Sequence, residues 1–214
     1  MAELNLADLR QEYRKAALDI EDLGTGPIAF FGQWFNEAQQ SGIDDVNAMT
    51  LATTDKEGRP HARIVLLKGL DTNNFQFFTN YESDKAAQLE ARPYAALLFF
   101  WKELERQVRV EGRVEKLPEA ASDAYFASRP VGSQLGAWAS PQSRPVANRA
   151  VLEARFVEAQ GRFASKVVPR PEHWGGYAVI PERIEFWQGR PSRLHDRILF
   201  ERAANGWSVT RLAP

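Results

Sequence analysis

The chain contains no cysteine. That excludes a disulfide scaffold, a thiolate nucleophile, an iron–sulfur cluster and any zinc site built on Cys. Long hydrophobic runs are missing too. The longest, Tyr94 to Trp101, spans eight residues, against the ~20 a membrane helix needs. Charge excess is nearly absent: 27 Lys and Arg against 28 Asp and Glu leave −1. A generic binder of nucleic acid or of an anionic membrane shows a basic surplus, so neither partner is expected. The start, Met1 to Asp8, carries acids and no apolar run, and does not read as a secretory leader. A cytoplasmic location is the expectation, with which the missing cysteines are compatible.

Several catalytic signatures are missing as well. Gly24-Thr25-Gly26-Pro27 lacks the third glycine of a dinucleotide loop and follows no strand. Gly132-Ser133-Gln134-Leu135-Gly136 is not the Gly-x-Ser-x-Gly of a nucleophile elbow. His61, His173 and His195 form no spaced metal pair, so no metal is expected. Simple hydrolase and metalloenzyme readings have little support.

What is present suits a soluble globular chain. The 214 residues are 44% hydrophobic and 26% charged, enough to bury a sizeable core without staples. Aromatics reach 11%, which fits a β-rich core or a ring-binding site. Leu6, Leu9, Tyr13 and Ala16 recur at helical spacing, and Pro27 opens a second helical segment through Phe30, Trp34 and Ala38. The period then changes. Strands are predicted at Ala48–Thr53, His61–Leu67, Phe75–Thr79, Tyr94–Trp101 and Gln107–Glu115. Ser83 is placed to cap a short helix ending before Pro93, and Pro118 opens another to Ser128. A loop with Gly132, Gly136, Pro141 and Pro145 follows, then a helix with Leu152, Phe156, Ala159 and Phe163 on its apolar face. The end reads as β at Tyr177–Ile180, Ile184–Gln188 and Ile198–Arg202, with a hairpin at Asn205-Gly206 into Trp207–Leu212. Strands without regular helix alternation predict a mainly β, α+β fold: an antiparallel barrel with peripheral helices.

Four clusters combine cations with hydroxyls or aromatics. Arg63 and Lys68 bracket an apolar strand, facing opposite sides or with one beyond the strand end. Ser83-Asp84-Lys85 stands at a predicted helix start, where Lys85 makes sense if it shares a phosphate with free backbone amides. Tyr125 and Arg129, one helical turn apart, precede Ser133 and make a plausible phosphate grip. Trp187 is followed by Arg190, Arg193, His195, Asp196 and Arg197. In a strand, Arg193, His195 and Arg197 would share a face, and their repulsion demands an anion or acid. Each cluster also has a plain structural reading: solvated strand ends, a capped surface helix, an Arg at a helix's negative pole, and a solvated basic strand.

In this order the segments resemble the pyridoxamine 5′-phosphate oxidase family over nearly the whole chain. The most specific stretches are Arg63 to Lys68, Leu104-Glu105-Arg106-Gln107-Val108, Ser128-Arg129-Pro130, Ser133 to Trp138, Ile184 to Gly189, and Arg193-Leu194-His195-Asp196-Arg197. The resemblance implies a single FMN-binding split-barrel domain over 1–214, with a helical segment at 1–45 and the barrel with inserted helices at 46–214. It implies a homodimer with two FMN sites at its interface. Arg63 and Lys85 would hold the FMN phosphate. Arg63, Ile64, Val65, Leu66, Leu67 and Lys68, with Phe78 and Thr79, would line the flavin, and Gln107 would reach its ring. Gln142, Ser143, Trp187 and Arg197 would complete the flavin site, some from the partner subunit. Lys68, Tyr125, Arg129 and Ser133 would grip the substrate phosphate, with Arg193 and His195 as the catalytic pair over the pyridine ring. Arg10 and Tyr13 would belong to a lid over the substrate. Asp84, also at the cofactor site, stands where family members often carry a basic residue. An acid cannot bind phosphate directly, which leaves looser binding or another cation in its place. Phe78 stands where some members have Tyr.

The implied reaction is FMN-dependent oxidation of pyridoxamine 5′-phosphate and pyridoxine 5′-phosphate to pyridoxal 5′-phosphate. Dioxygen would be the acceptor, giving hydrogen peroxide, with ammonia from the amine. A split-barrel flavin reductase and a non-catalytic carrier of FMN or pyridoxal 5′-phosphate are the alternatives. Neither needs both the phosphate grip and Arg193 with His195.

Overall fold

A computed structural model describes residues 12–24 and 26–214. Arg10 and the early leucines Leu6 and Leu9 lie outside them. Nine strands are found among the described residues: β1 (Ala48–Thr54), β2 (Pro60–Leu66), β3 (Gly69–Leu70), β4 (Phe75–Asn80), β5 (Tyr94–Trp101), β6 (Arg106–Lys116), β7 (Trp174–Gln188), β8 (Asp196–Ala203) and β9 (Gly206–Leu212). Five α-helices are described: α1 (Pro27–Gln40), α2 (Asp84–Ala91), α3 (Glu119–Ser128), α4 (Val131–Ala139) and α5 (Arg149–Arg162). The strands hydrogen-bond in the order β2-β1-β5-β6-β7-β4-β3, with β8 on β7 and β9 on β8. The pairs β3–β4, β4–β7, β7–β8 and β8–β9 are antiparallel. The mainly β, α+β architecture expected from the sequence is present.

The chain divides into two compact units. One takes residues up to 49, 97–110 and 182–214. Its core is aromatic: Phe30, Phe31 and Trp34 of α1 bury with Phe99, Trp101, Phe186 and Phe200. The Arg106 guanidinium caps Trp34 at 4.4 Å and donates to Gln188 Oε1 at 2.9 Å. The other takes 50–96 and 111–181. Its β4 strand alternates, burying Phe75 and Phe77 on one face while Gln76 and Phe78 point the other way. Phe126, Leu135, Ala159, Val168 and Trp174 join α3, α4 and α5 into a second core. Gly176 faces Phe78 across the β4–β7 pair, and a Cβ there would stand 2.7 Å from the Phe78 ring.

Three local expectations change. Tyr13 and Ala16 are not helical: residues 12–19 carry no helix. Three backbone N–H groups of this segment are taken by distant side chains instead. Arg14 and Lys15 donate to the Glu105 carboxylate at 2.9 and 3.0 Å, and Leu18 donates to Asp196 at 3.1 Å. A helix needs those donors for its own carbonyls. Second, the loop after Pro130 is the helix α4, with Pro130 at its N-cap and Ser133 in its first turn. Third, β7 runs unbroken through Pro181 rather than as two strands.

Candidate active site

A cavity of about 570 Å³ opens in the second unit. Twelve of the residues singled out from the sequence line it: Arg63, Ile64, Val65, Leu66, Lys68, Phe78, Thr79, Lys85, Tyr125, Arg129, Ser133 and Gln142. They arrive from β2, the link after it, β4, α2, α3 with its C-cap, α4 and the segment after α4. Lys68 lies beyond the end of β2, which removes the parity conflict with Arg63.

Three cations of this cavity have no acid as a hydrogen-bonding partner. Arg63 donates to Leu51 O at 3.0 Å, Thr53 Oγ1 at 2.6 Å and Gln88 Oε1 at 2.9 Å, all uncharged. Burial lowers its pKa, with Asp84 opposing. Lys85 Nζ donates to Gln142 Oε1, Thr79 Oγ1 and Ser83 Oγ at 2.9, 3.1 and 3.2 Å. Its pKa is lowered first by burial and then by Arg63, with Asp84 opposing. Arg129 is the C-cap of α3 rather than a helical residue. Its Nη1 is buried and has no hydrogen-bond partner. Burial pushes its pKa down while Tyr125 opposes. Desolvated cations left without counter-charge are costly unless an anion arrives.

Beside the cations lies a stack of flat rings. Phe78 and Tyr125 stack at 4.0 Å and 22°, and Trp174 stacks on Phe78 at 5.6 Å and 12°. The Arg129 guanidinium sits 4.6 Å over Trp174. Sequence reading missed Trp174, Asn80, Gly136, Ala137 and Ser140, which also line the cavity. Trp174 opens the strand that pairs with β4, three residues before the strand expected from Tyr177. Buried cations aimed at uncharged groups, together with stacked rings, fit a phosphorylated aromatic ligand.

Some assigned residues do not line this cavity. Leu67 is buried, and Asp84 and Ser143 lie outside the lining. Gln107, Trp187, Arg193, His195, Arg197 and Tyr13 belong to the first unit. There Tyr13, Trp187 and His195 meet: Tyr13 stands edge-on to Trp187 at 5.7 Å and 5.9 Å from His195, with Trp187 and His195 4.6 Å apart. Gly189 makes room, since a Cβ there would stand 2.7 Å from the Tyr13 ring. The expected shared strand face of Arg193, His195 and Arg197 is absent. Pro191–Arg193 form a 3-10 turn, with Ser192 and Arg193 at φ 55° and 61°, and β8 begins only at Asp196. The acid that the charge repulsion demanded is present for Arg197: its Nε donates to buried Glu185 at 2.8 Å. His195 Nδ1 accepts the Arg190 N–H at 3.1 Å, which assigns the neutral ring's proton to Nε2. Burial and then Arg193 lower its pKa, with Asp196 opposing. Glu105 was given no role from the sequence; its buried carboxylate anchors the backbone next to Tyr13.

Comparisons with known proteins identify the family. Residues 35–163 match the family model described as pyridoxamine 5′-phosphate oxidase, and 174–214 match the C-terminal dimerisation region of pyridoxine 5′-phosphate oxidase. A pyridoxine/pyridoxamine 5′-phosphate oxidase of Ralstonia nicotianae is 59% identical over 211 residues, covering 98% of this chain and 99% of the relative. One from Burkholderia mallei is 58% identical over 212 residues, with the same coverage. Among solved structures, PhzG from Burkholderia lata, in complex with tetrahydrophenazine-1-carboxylic acid, superposes with a TM-score of 0.86 at 28% identity. That match covers 93% of this chain and all of PhzG. An FMN-binding protein from Nostoc punctiforme, related to pyridoxamine 5′-phosphate oxidase, superposes at 0.72 with 19% identity over 89% of this chain and all of its own. The fold is the split barrel expected from the sequence.

Proposed function

Because this chain belongs to the pyridoxamine 5′-phosphate oxidase family, we propose that it oxidises pyridoxamine 5′-phosphate and pyridoxine 5′-phosphate to pyridoxal 5′-phosphate with dioxygen as acceptor. The amine reaction consumes one water and one dioxygen and releases ammonia and hydrogen peroxide. The alcohol reaction consumes one dioxygen and releases hydrogen peroxide. The cofactor is FMN, which when bound supplies the two-electron acceptor chemistry that no side chain here provides.

The observation that carries this reading is the buried, partnerless Nη1 of Arg129 in a cavity shared with the Tyr125 and Ser133 hydroxyls. With Lys68 these groups hold the substrate phosphate. Arg63 and Lys85 hold the cofactor phosphate, and Ile64, Val65, Leu66, Phe78, Thr79 and Gln142 line the flavin. Gln107, Trp187 and Arg197 are assigned to the flavin, and Arg193 and His195 to the pyridine ring. His195, with its proton on Nε2, donates toward the substituent at C4′ or the phenolic oxygen. Arg193 orients the ring and stabilises charge that develops on it. Phosphate-binding energy, gained far from the reacting carbon, is available to align it. The chain acts as a homodimer, with 174–214 contributing to its interface.

The test is peroxide release in air with each phosphorylated substrate and its dephosphorylated counterpart. Arg129→Ala should lower kcat/KM by about 10- to 150-fold, the worth of a charge-assisted hydrogen bond of ~1.5–3 kcal/mol, for phosphorylated substrates only. An unchanged value, or equal loss on both substrate forms, contradicts the phosphate grip.

A further inference from the structure

Next to Arg63 and Lys85 stands an acid. Asp84 is the first residue of α2, and its charge acts on both cations, opposing the fall in their pKa values. A carboxylate so placed repels a phosphate that approaches them. It has a counter-ion from the segment after α4. Arg144 Nη1 lies 3.4 Å from Asp84 Oδ1, and Arg144 Nη2 donates to the Glu82 carbonyl at 2.8 Å. Two residues earlier in that segment, Gln142 accepts from Lys85 and from the Thr79 hydroxyl. One short stretch therefore carries both an acceptor for Lys85 and a counter-charge for Asp84. The pair is well exposed, at 55% and 60% of the side chains. Exposed pairs of this kind add little to fold stability. Their effect on the field is larger in proportion: Arg63, Lys85 and Asp84 sum to +1, and Arg144 restores +2.

We propose that Arg144 is a positioning residue of the FMN site, which neutralises Asp84 and so sets the preference for FMN over unphosphorylated riboflavin. The proposal rests on the reading of this cavity as an FMN site. It gives the place of the missing basic residue at position 84 to a cation sixty residues further along the chain.

The experiment is fluorescence titration of the full-length, FMN-free protein with FMN and with riboflavin, at low and high salt. Arg144→Ala should weaken FMN by about three- to tenfold, the size expected of one partly screened charge a few ångströms away, and the loss should shrink as salt rises. Riboflavin affinity should not move. Adding Asp84→Ala to Arg144→Ala should restore FMN affinity, a rescue that a folding defect would not show. Arg144→Lys, which keeps the charge, should retain most of it. An FMN affinity unchanged in Arg144→Ala, an equal loss on riboflavin, or no rescue by Asp84→Ala overturns the proposal. A wild-type protein that binds FMN no better than riboflavin refutes the FMN reading itself, and the proposal with it.

Discussion

Arg129 is held by a ring rather than by an acid. Its guanidinium lies over Trp174, and the two remaining rings of the stack, Phe78 and Tyr125, continue the flat surface. A partly desolvated cation–π contact is worth about 0.5–2 kcal/mol. Trp174→Leu should therefore raise KM for phosphorylated substrates by roughly 2- to 30-fold, while Trp174→Phe, which keeps a ring, should lose less. Equal KM values for Trp174→Leu and wild type would show that the ring does not orient Arg129. His195 gives a second prediction at this scale. Its pKa is depressed in the fold, first by burial and then by Arg193. The unfolded chain therefore takes up the proton first as pH falls. Stability should drop as pH falls from the ordinary imidazole range through the folded-state pKa. Urea midpoints between about pH 8 and about pH 5 should slope less in His195→Asn than in wild type. Identical slopes would contradict the depressed value.

Among the elements, most strands and the helices α1, α2, α3 and α5 were legible. Tyr94–Trp101 matches β5 residue for residue, and Phe75 and Phe77 alternate as a period of two requires. The period survives where a strand buries one face of its own, as β1, β4 and β5 do. Helix α4 was hidden by Gly132, Gly136 and its flanking prolines, which mimic a loop. Residues 12–19 failed in the opposite sense. Their spacing suits a helix, yet three of their N–H groups bind the distant carboxylates of Glu105 and Asp196. No local pattern announces such partners. The same cause explains the candidate site: the residues of the proposed phosphate grip were readable as chemistry, whereas Trp174 and Arg144 became visible only through contacts across 45 and 60 positions. Glu105 makes the N-terminal segment testable. Glu105→Ala should leave two N–H groups without their acceptor and speed tryptic cleavage after Arg14 and Lys15, with Glu105→Gln intermediate. Cleavage at the wild-type rate would show that Glu105 does not anchor this segment.

At the scale of the whole molecule, a net charge of −1 conceals a local cluster of cations facing one cavity. Composition alone cannot show that; the order of the motifs along the chain can. No helix among the described residues is long and apolar enough to cross a membrane. A ligand that satisfies the desolvated cations binds the folded chain in preference to the unfolded one. FMN at about 100 times its dissociation constant should therefore add ~2.7 kcal/mol of stability and raise Tm by a few degrees. Riboflavin at the same concentration should do less, and an equal shift from both would remove the phosphate from the account. The central claim is that this chain passes electrons from a phosphorylated pyridine to FMN. Its most direct test is flavin absorbance of the FMN-loaded protein, without oxygen, on addition of pyridoxamine 5′-phosphate. The account predicts bleaching, then recovery of colour with release of hydrogen peroxide when air is admitted. Bound FMN that stays yellow with both pyridoxamine 5′-phosphate and pyridoxine 5′-phosphate would contradict it.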